Sequence, residues 1–137
     1  MNNSFHLSLP CLDVDQTRIF YVDKLGAQKG RSANNWIDIN LYGNQITFTK
    51  AGRFDLQFQN YSFEGKILPS FHFGIITDIT NWGKVYSRLN AEAVEVFDEI
   101  TFLKEKVGEH ISFFVKDPNG YMVEFKSFSN DEDVFRT

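Results

Sequence analysis

The sequence predicts an α+β protein made of two βαβββ modules. The first observation is a repeat: the alternating segment at residues 5–9 returns at residues 71–75, and each copy leads into a stretch with helical spacing. The second observation is that residues 43–48 align with residues 120–125, so the repeat extends to the end of each half. Each half therefore has the order strand, helix, strand, strand, strand.

The length of the chain predicts one domain. Its 137 residues, 15 of them phenylalanine, are enough to bury a sizeable apolar core. We expect a single domain over residues 1–137, with modules at about 1–50 and 70–128 and a connection at 51–69.

The elements of the first module follow from capping signals and periodicity. Asp13 is a suitable N-cap, and apolar residues recur at near-helical spacing until Gly26 ends the run. A short strand is expected near residues 27–31. Residues 36–48 alternate on both sides of a turn at Gly43-Asn44, which predicts an antiparallel hairpin.

The second module repeats this order. The connection at 51–69 has no clean period and is expected to join the halves with an irregular turn. Asp78 or Thr80 is expected to cap the second helix. The sequence Asp-Pro-Asn-Gly at 117–120 predicts a turn between the last two of three further strands. These strands are expected near residues 94–97, 110–115 and 121–127.

Charge and cysteine content exclude several classes of function. The 14 basic and 18 acidic residues give a net charge of -4, and the basic residues are scattered, so no nucleic-acid partner is expected. No apolar stretch approaches the roughly 20 residues that span a bilayer, so no membrane partner is expected. The single cysteine, Cys11, cannot form an internal disulfide, and the N-terminus lacks the features of a secretory signal, which indicates a cytoplasmic protein. Cys11 itself is expected to be a small half-buried residue rather than a nucleophile.

Two histidines and a carboxylate occupy matching positions on the polar faces of the predicted strands. His6 and His72 stand at equivalent places in the repeat, each on the less apolar face of an alternating strand. Glu124 lies on the less apolar face of the last strand, where the repeat aligns it with Thr47. A carboxylate on an otherwise apolar strand needs a partner, and we expect the two histidines to face one cavity.

Seven short segments carry a family resemblance: Phe5-His6-Leu7, Gly30-Arg31-Ser32, Trp36-Ile37-Asp38, His72-Phe73-Gly74, Gly108-Glu109, Asp117-Pro118-Asn119-Gly120 and Glu124-Phe125-Lys126. On these segments the chain resembles the vicinal oxygen chelate superfamily, which includes glyoxalase I, fosfomycin- and bleomycin-resistance proteins and extradiol dioxygenases. The resemblance covers nearly the whole chain and is strongest to small predicted extradiol-dioxygenase-like proteins.

This resemblance implies a fold, a metal and a ligand set. In that superfamily the modules form a curved mixed-sheet cup, the glyoxalase/bleomycin resistance/dioxygenase fold, and metal ligands come from the first and last strands. Carried onto this chain, the ligands are His6, His72 and Glu124. Two imidazoles and one carboxylate are typical of non-haem Fe(II) oxygenases, with Mn, Zn or Ni as alternative metals. Family members are often dimers, which implies a homodimer.

Two further residues are candidates for catalytic roles. His110 lies on a strand next to the Glu124 strand, where an imidazole can take a proton from a substrate hydroxyl or return one. Tyr121, just before that strand, can hydrogen-bond a bound oxygen, and its alternative role is packing. Arg31 can meet an anionic substrate group or lie in solvent, while Trp36 and Asp38 are treated as packing and support.

Three functions are compatible with these residues. The first, which we expect, is a metal-dependent extradiol-type dioxygenase acting with molecular oxygen on a small aromatic or enediol-like substrate with adjacent oxygens. The second is a non-redox metalloenzyme, either a glyoxalase-like isomerase or a fosfomycin-type thiol transferase. Thr47 counts against the isomerase, because glyoxalase-like members usually place a carboxylate there. The third is a metal-free protein that binds a small molecule in the cup.

Overall fold

The computed structural model describes residues 3–137, with Asp98 described by its backbone alone. Met1 and Asn2, the first two residues of the predicted first module, lie outside the described residues. No helix in the described part of the chain is long and apolar enough to cross a membrane. The elements follow in the order β1 (His6–Cys11), α1 (Val14–Arg18) continued by a π-helical segment (Ile19–Lys24), β2 (Gln28–Ala33), β3 (Trp36–Leu41), β4 (Asn44–Lys50), β5 (Tyr61–Phe63), β6 (Lys66–Leu68), β7 (His72–Ile76), α2 (Ile79–Ala91), β8 (Val96–Phe102), β9 (His110–Lys116), β10 (Met122–Phe128) and a 3₁₀ helix (Asp131–Phe135).

The chain forms two compact units. Unit 1 comprises the chain up to Leu56 together with Asp117–Gly120, and unit 2 comprises Gln57–Lys116 and Tyr121–Thr137. Each unit holds a four-stranded mixed sheet, with the order β1-β4-β3-β2 in unit 1 and β7-β10-β9-β8 in unit 2. The first and last strands of each module run parallel, and the other neighbours are antiparallel. The predicted α+β fold of two βαβββ modules is therefore confirmed.

The strand registers bear out the internal repeat. In unit 1 Thr47 pairs with Ser8, and in unit 2 Glu124 pairs with Gly74. His6 and His72 each stand two residues before that partner on the same strand. Thr47 and Glu124 are therefore equivalent, as the sequence alignment of the two halves predicts.

The helical segment of unit 1 begins and ends where the sequence predicts. Asp13 accepts a hydrogen bond at 2.8 Å from the amide three residues later, and Gly26 follows the segment with a left-handed φ of 87°. The segment is not one α-helix, because at Ile19–Lys24 it widens to a π-helix. There the Leu25 amide donates to the Phe20 carbonyl at 2.9 Å. The sequence did not predict this change, since both forms return an apolar residue to one face about every turn.

The first hairpin turns one residue earlier than predicted. Tyr42 and Gly43 are the central residues, with φ of 53° and 86°, while Leu41 and Asn44 form the last strand pair. A two-residue turn of this kind needs positive φ at both centres, because its twist must match that of the strands. The Gly43 amide donates to Asn40 Oδ1 at 2.7 Å, which supports the turn. The predicted position at Gly43-Asn44 is therefore wrong by one residue.

Unit 1 also contains the predicted turn between β9 and β10. Asp117 Oδ2 accepts a hydrogen bond from the Tyr21 hydroxyl at 2.8 Å. Asn119 Oδ1 accepts one from the Leu12 amide at 2.8 Å, and its amide nitrogen donates to the Thr17 hydroxyl at 3.2 Å. The turn is confirmed, and its polar side chains also bind it to the first helical segment and to Leu12, two residues before that segment.

In unit 2, α2 covers one face of the sheet. Asp78, rather than Thr80, caps the helix by accepting a hydrogen bond from the Asn81 amide at 2.8 Å. The Trp82 indole donates to the Phe125 carbonyl at 3.0 Å, which ties the helix to β10. The buried side chains of the helix are Trp82, Val85 and Leu89. Because strand side chains alternate, the neighbours of Phe125 on β10 point to the other face.

The connection between the modules holds a hairpin that the sequence analysis did not predict. β5 and β6 are three residues each, joined by Glu64 and Gly65 with φ of 50° and 74°. Leu68, at the end of the hairpin, is buried in an apolar cluster with Phe102 and Phe114. Residues 51–60 of the connection form no helix or strand, as expected, whereas residues 61–68 form a short hairpin packed over the sheet face that α2 leaves uncovered.

Candidate functional site

His72 and Glu124 meet on that uncovered face of the unit 2 sheet. β7 and β10 are parallel neighbours, and their register brings His72 Nε2 to 3.1 Å from Glu124 Oε2. Gly74 lies beside Glu124, and a Cβ at this position would stand 1.7 Å from the Glu124 carbonyl oxygen. The close approach of the two strands therefore requires glycine, and the carboxylate finds its partner in the imidazole on the adjacent strand.

The orientation of the His72 ring is set by the backbone. Its Nδ1 lies 2.8 Å from the Pro69 carbonyl oxygen, and since a carbonyl only accepts, Nδ1 carries a hydrogen. In the neutral ring the lone pair is then on Nε2, the atom that faces Glu124. The edge of Phe114 meets the ring at a centroid distance of 5.4 Å. A backbone-bonded Nδ1 of this kind is the arrangement that usually orients a metal-ligating histidine.

Glu124 is buried, and both of its carboxylate oxygens have polar partners. Its Oε1 accepts a hydrogen bond from the Ser112 hydroxyl at 2.8 Å, and Lys126 Nζ lies 3.6 Å from Oε2. Burial raises the pKa of Glu124, but the His72 hydrogen bond, the Lys126 charge and the Ser112 hydrogen bond together hold it below its ordinary value. The hydrogen bond with Glu124 raises the pKa of His72, although burial works in the opposite direction. Both shifts favour an ion pair.

A cavity of about 210 Å³ opens beside this pair. Most of its walls are aromatic or aliphatic, and its charged groups lie together on β10 and β7. The lining residues are Tyr61, Phe63, Leu68, His72, Phe102, His110, Phe114, Glu124 and Lys126. An apolar cavity with a few convergent polar groups is the usual form of a small-molecule site.

His110 lines the same cavity. Its ring lies between Phe102 and Phe128, at centroid distances of 5.1 Å and 4.8 Å. Nδ1 lies 2.8 Å from the Gly108 carbonyl, so this nitrogen is the donor and Nε2 of the neutral ring is an acceptor. The sequence left open whether His110 faces the cavity, and the structure places it on the cavity wall.

Tyr121 and Cys11 lie away from this cavity. Tyr121 is buried, and its ring contacts Phe71 and Phe73 at centroid distances of 5.9 Å and 6.3 Å. Tyr121 is four residues before Phe125, so strand alternation places both side chains on the α2 side of the sheet. The structure therefore supports the packing role of Tyr121, and we assign it no catalytic role. Cys11 is fully buried rather than half-buried, and burial raises the pKa of its thiol, which agrees with an inert residue.

His6 stands on β1 in unit 1, exposed and paired with Gln45. Among the side chains that the structure describes, no group of three or more His, Cys, Asp or Glu is arranged to hold a metal ion. The structure therefore brings together two of the three predicted ligands, His72 and Glu124. The role of His6 stays a prediction.

The donor atoms of His72 and Glu124 fit a metal ion. Two ligand atoms at about 2.0–2.2 Å from one metal and at right angles to each other stand about 2.8–3.1 Å apart. The distance of 3.1 Å between Nε2 and Oε2 falls within this range. Imidazole nitrogen and carboxylate oxygen are ligands that Fe(II), Zn, Mn and Ni accept. The pair is therefore suited to hold two adjacent positions of a divalent metal.

Unit 1 holds a buried carboxylate of its own, Asp38, directly opposite Thr47. Asp38 Oδ1 accepts a hydrogen bond from the Thr47 hydroxyl at 2.7 Å. Its Oδ2 accepts hydrogen bonds from the side-chain amide of Gln45 at 3.1 Å and from the Arg31 guanidinium at 3.4 Å. The Arg31 guanidinium also lies 5.8 Å from the centre of the Trp36 ring. These contacts agree with the supporting role expected for Asp38 and Trp36.

Ser112 and Tyr61 are site residues that the sequence analysis missed. Ser112 is two residues after His110 on β9, so the predicted alternation could have placed its side chain on the same face of the sheet as that of His110. Tyr61 lies on the unpredicted hairpin. The Glu64-Gly65 pair between short alternating segments was a signal for that hairpin, although a weaker one than Asn-Gly.

A larger concavity in unit 2, of about 570 Å³, lacks reactive groups of this kind. Its carboxylates include Asp78, which caps α2, and Glu109, which accepts hydrogen bonds from the Glu105 amide and the Ser129 hydroxyl. Its described lining contains no histidine or cysteine. The smaller cavity beside His72 and Glu124 is therefore the better candidate.

Comparison with solved structures shows the same fold in several proteins. A glyoxalase/bleomycin resistance protein/dioxygenase from Alicyclobacillus acidocaldarius has a TM-score of 0.82 at 26% identity, over 98% of this chain and 97% of that chain. The fosfomycin resistance protein FosX from Listeria monocytogenes has a TM-score of 0.67 at 17% identity, over 97% and 98%. The lactoylglutathione lyase from Agrobacterium tumefaciens has a TM-score of 0.67 at 16% identity, over 93% and 94%.

A comparison with families gives a match over most of the chain. Residues 4–125 match the family described as "Glyoxalase/Bleomycin resistance protein/Dioxygenase superfamily". No curated protein matches the chain. Members of this superfamily are typically metalloenzymes that bind divalent metals and small molecules. With two four-stranded mixed sheets, each from a βαβββ module, and a match from residue 4 to residue 125, the chain belongs to the glyoxalase/bleomycin resistance protein/dioxygenase superfamily.

Proposed function

We propose that this protein is a metal-dependent dioxygenase of the extradiol type, with His6, His72 and Glu124 as ligands of Fe(II). The observation that carries the proposal is the contact of His72 Nε2 with Glu124 Oε2 at 3.1 Å beside an aromatic-lined cavity. The proposed substrate is a small aromatic or enediol-like compound with adjacent oxygens, and molecular oxygen is the second substrate.

Bound Fe(II) would supply neighbouring open positions for the two substrate oxygens and for O₂, and would pass electron density between them. The chain supplies the orientation. The Pro69 carbonyl directs His72 Nε2 inward, and Ser112 holds Glu124 Oε1 so that Oε2 faces the imidazole. The aromatic side chains on the cavity wall favour a planar ligand.

His110 is the proposed proton-transfer residue. Its Nδ1 is committed to the Gly108 carbonyl, so Nε2 can accept a proton from a substrate hydroxyl and later return it. Phe102 and Phe128 hold the ring from two sides, which fixes the direction of Nε2. We propose no catalytic role for Tyr121, because it packs on the other side of the sheet.

A non-redox metalloenzyme is the alternative. FosX and a lactoylglutathione lyase share the fold, and a metal on the same ligands could polarise a substrate oxygen without redox change. The Thr47 hydroxyl, at the position equivalent to Glu124, donates to Asp38, so this position offers no carboxylate as a fourth metal ligand. This observation favours a dioxygenase or a thiol transferase over a glyoxalase-like isomerase.

Metal analysis of the purified protein tests the proposal. The native chain, His72→Ala and the control Lys84→Ala, an exposed residue of α2, are prepared anaerobically without a chelating tag. We expect near-stoichiometric iron in the native chain and the control, little in His72→Ala, and oxygen uptake with catechols. Zinc, nickel or manganese without oxygen uptake supports the alternative. No metal, even after addition of Fe(II), would leave a metal-free binding protein.

The proposal includes a homodimer, which the family resemblance implies, and a cytoplasmic location, which the cysteine content and the N-terminal sequence indicate. His6 completes the ligand set either from the same chain or as His6 of the partner subunit. Sedimentation equilibrium tests the assembly, with an expected mass of twice the 15.9 kDa of one chain. A monomer that binds iron stoichiometrically would exclude ligand sharing between subunits.

A further inference from the structure

Lys126 contacts the same oxygen atom that His72 approaches. Lys126 Nζ lies 3.6 Å from Glu124 Oε2, and His72 Nε2 lies 3.1 Å from it. The other carboxylate oxygen is occupied by the Ser112 hydroxyl at 2.8 Å. A divalent metal bound by His72 and Glu124 would share Oε2 with Lys126 and would therefore weaken the attraction between Lys126 and this carboxylate.

Lys126 would then stand on the cavity wall with less compensation for its charge. Its side chain is 28% exposed, so water solvates it only in part. Among the described residues that line this cavity, no other lysine and no arginine is present. A partly desolvated ammonium without an opposite charge is unfavourable, so this position favours an anionic group of a ligand.

The charge balance of the cavity points the same way. With neutral imidazoles as ligands, the charges of Glu124 and Lys126 cancel, and a divalent metal leaves two positive charges. A catechol that loses one proton on chelation neutralises one of them. A ligand with an additional carboxylate neutralises both, which is the more favourable arrangement in a site of low polarity.

We propose that the substrate carries a carboxylate besides its two adjacent oxygens and that Lys126 binds this carboxylate, an inference that rests on the proposed function. The substrate class is a single-ring dihydroxy-aromatic acid. The cavity of about 210 Å³ is smaller than the roughly 300–1,000 Å³ of sites for drug-sized ligands, which limits the ligand to a small ring. The hydroxyl of Tyr61, also on the cavity wall, is a second donor for the same ligand.

Ligand binding to zinc-loaded protein tests this proposal, because Zn²⁺ is redox-inert and permits a measurement without turnover. Catechol, 2,3-dihydroxybenzoate and 3,4-dihydroxybenzoate are titrated calorimetrically into the native chain, Lys126→Gln, the charge-keeping Lys126→Arg and the control Lys84→Gln. Zinc affinity and thermal melting are measured first for every variant. In the native chain we expect at least one of the two acids to bind about tenfold more tightly than catechol.

The variants separate substrate binding from support of the metal ligand. In Lys126→Gln we expect the preference for the acid to fall below about twofold while zinc affinity changes by less than about threefold; Lys126→Arg and Lys84→Gln should keep the preference. Equal binding of catechol and both acids by the native chain overturns the inference while leaving the metal site intact. A preference that survives in Lys126→Gln also overturns it. Absence of zinc binding by the native chain overturns the proposed function itself.

Discussion

Asp38 in unit 1 and Glu124 in unit 2 are buried carboxylates on equivalent sheets, and their partners differ in kind. Asp38 is bonded by a hydroxyl, an amide and the guanidinium of Arg31, whose side chain is 81% exposed. Glu124 is bonded by a hydroxyl on one oxygen and faces an imidazole and an ammonium with the other. The two units therefore share the backbone fold, but the partners of their buried carboxylates differ.

The difference comes from a shift of the carboxylate by one strand. In unit 2 the carboxylate stands on the last strand, beside the first strand and its histidine. In unit 1 that position holds Thr47, and the carboxylate stands opposite it on β3. Asp38 accepts hydrogen bonds from the Thr47 hydroxyl and from the side chains of Gln45 and Arg31, so its described hydrogen-bond partners include no imidazole that could share a metal with it. The unit 1 cluster is thus suited to support, and the unit 2 pair to binding.

The largest expected effect concerns the strand contact that brings His72 to Glu124. A Cβ at Gly74 would lie 1.7 Å from the Glu124 carbonyl oxygen and 2.8 Å from its amide nitrogen, so β7 and β10 would have to separate. Gly74→Ala is expected to lower the free energy of unfolding by about 3 kcal/mol or more. Ser8 holds the equivalent place in unit 1, and Ser8→Ala should change stability by less than about 0.5 kcal/mol. Urea titrations measure both values, and similar values for the two variants would contradict the comparison.

The next effect tests which carboxylate binds the metal. Glu124→Gln keeps the side-chain shape but removes the charge, and we expect Zn²⁺ affinity to fall about 100-fold or more. Asp38→Asn, the matched change in unit 1, is expected to alter that affinity by less than about threefold. Competition with a chromophoric chelator gives both numbers. Equal losses would mean that the assignment of the metal to the unit 2 carboxylate is wrong.

A smaller effect separates the two hydroxyl groups. Ser112 donates to Glu124 Oε1 at 2.8 Å, and Ser112→Ala is expected to weaken Zn²⁺ binding about tenfold because Glu124 loses its anchor. Thr47 donates to Asp38 at 2.7 Å, and the isosteric Thr47→Val should leave Zn²⁺ affinity within about twofold. The same chelator competition applies. A larger loss in Thr47→Val than in Ser112→Ala would reverse the roles of the two units.

The smallest effect concerns the helix caps, which the two units share. The hydrogen bond from the Asn81 amide is the first cause that lowers the pKa of Asp78 below its ordinary value of 3.8. A carboxyl with a lowered pKa in the folded protein stabilises it above the unfolded pKa, and this contribution is lost as pH falls through the folded value. Asp78→Asn keeps a capping oxygen but does not titrate. We expect similar Tm values at pH 7 and a steeper fall of the native Tm below about pH 4. Parallel Tm curves would show that the cap does not couple to pH.

Much of the fold could be predicted because the chain repeats itself. The alternation around His6 and His72 and the turn signals predicted both modules, and the equivalence of Thr47 and Glu124 is confirmed by register. The hairpin at Tyr61–Phe63 and Lys66–Leu68 was not predicted, since three residues are too few to show a period. The π-helical segment was missed for a related reason, because periodicity does not resolve helix types.

The site was predicted in part. The partner of Glu124 was expected from burial of a carboxylate, and the structure identifies it as His72. Ser112 was missed because a serine on a strand gives no chemical signal until its neighbour across the sheet is known. Of the two roles expected for Tyr121, hydrogen bonding to a bound oxygen and packing, its contacts with Phe71 and Phe73 favour packing.

The turn Asp117–Gly120 belongs to unit 1, although in the sequence it lies between two strands of unit 2. The polypeptide passes between the units at three points, after Leu56, after Lys116 and after Gly120. A fragment that ends at Leu56 would lack the Asp117 and Asn119 acceptors, leaving the buried Tyr21 hydroxyl without its carboxylate. A single division of the chain therefore cannot yield both units complete, because unit 1 includes a segment from the second half of the sequence. We therefore expect the fragment that ends at Leu56 to be destabilised when alone and stabilised when mixed with the fragment that carries the turn.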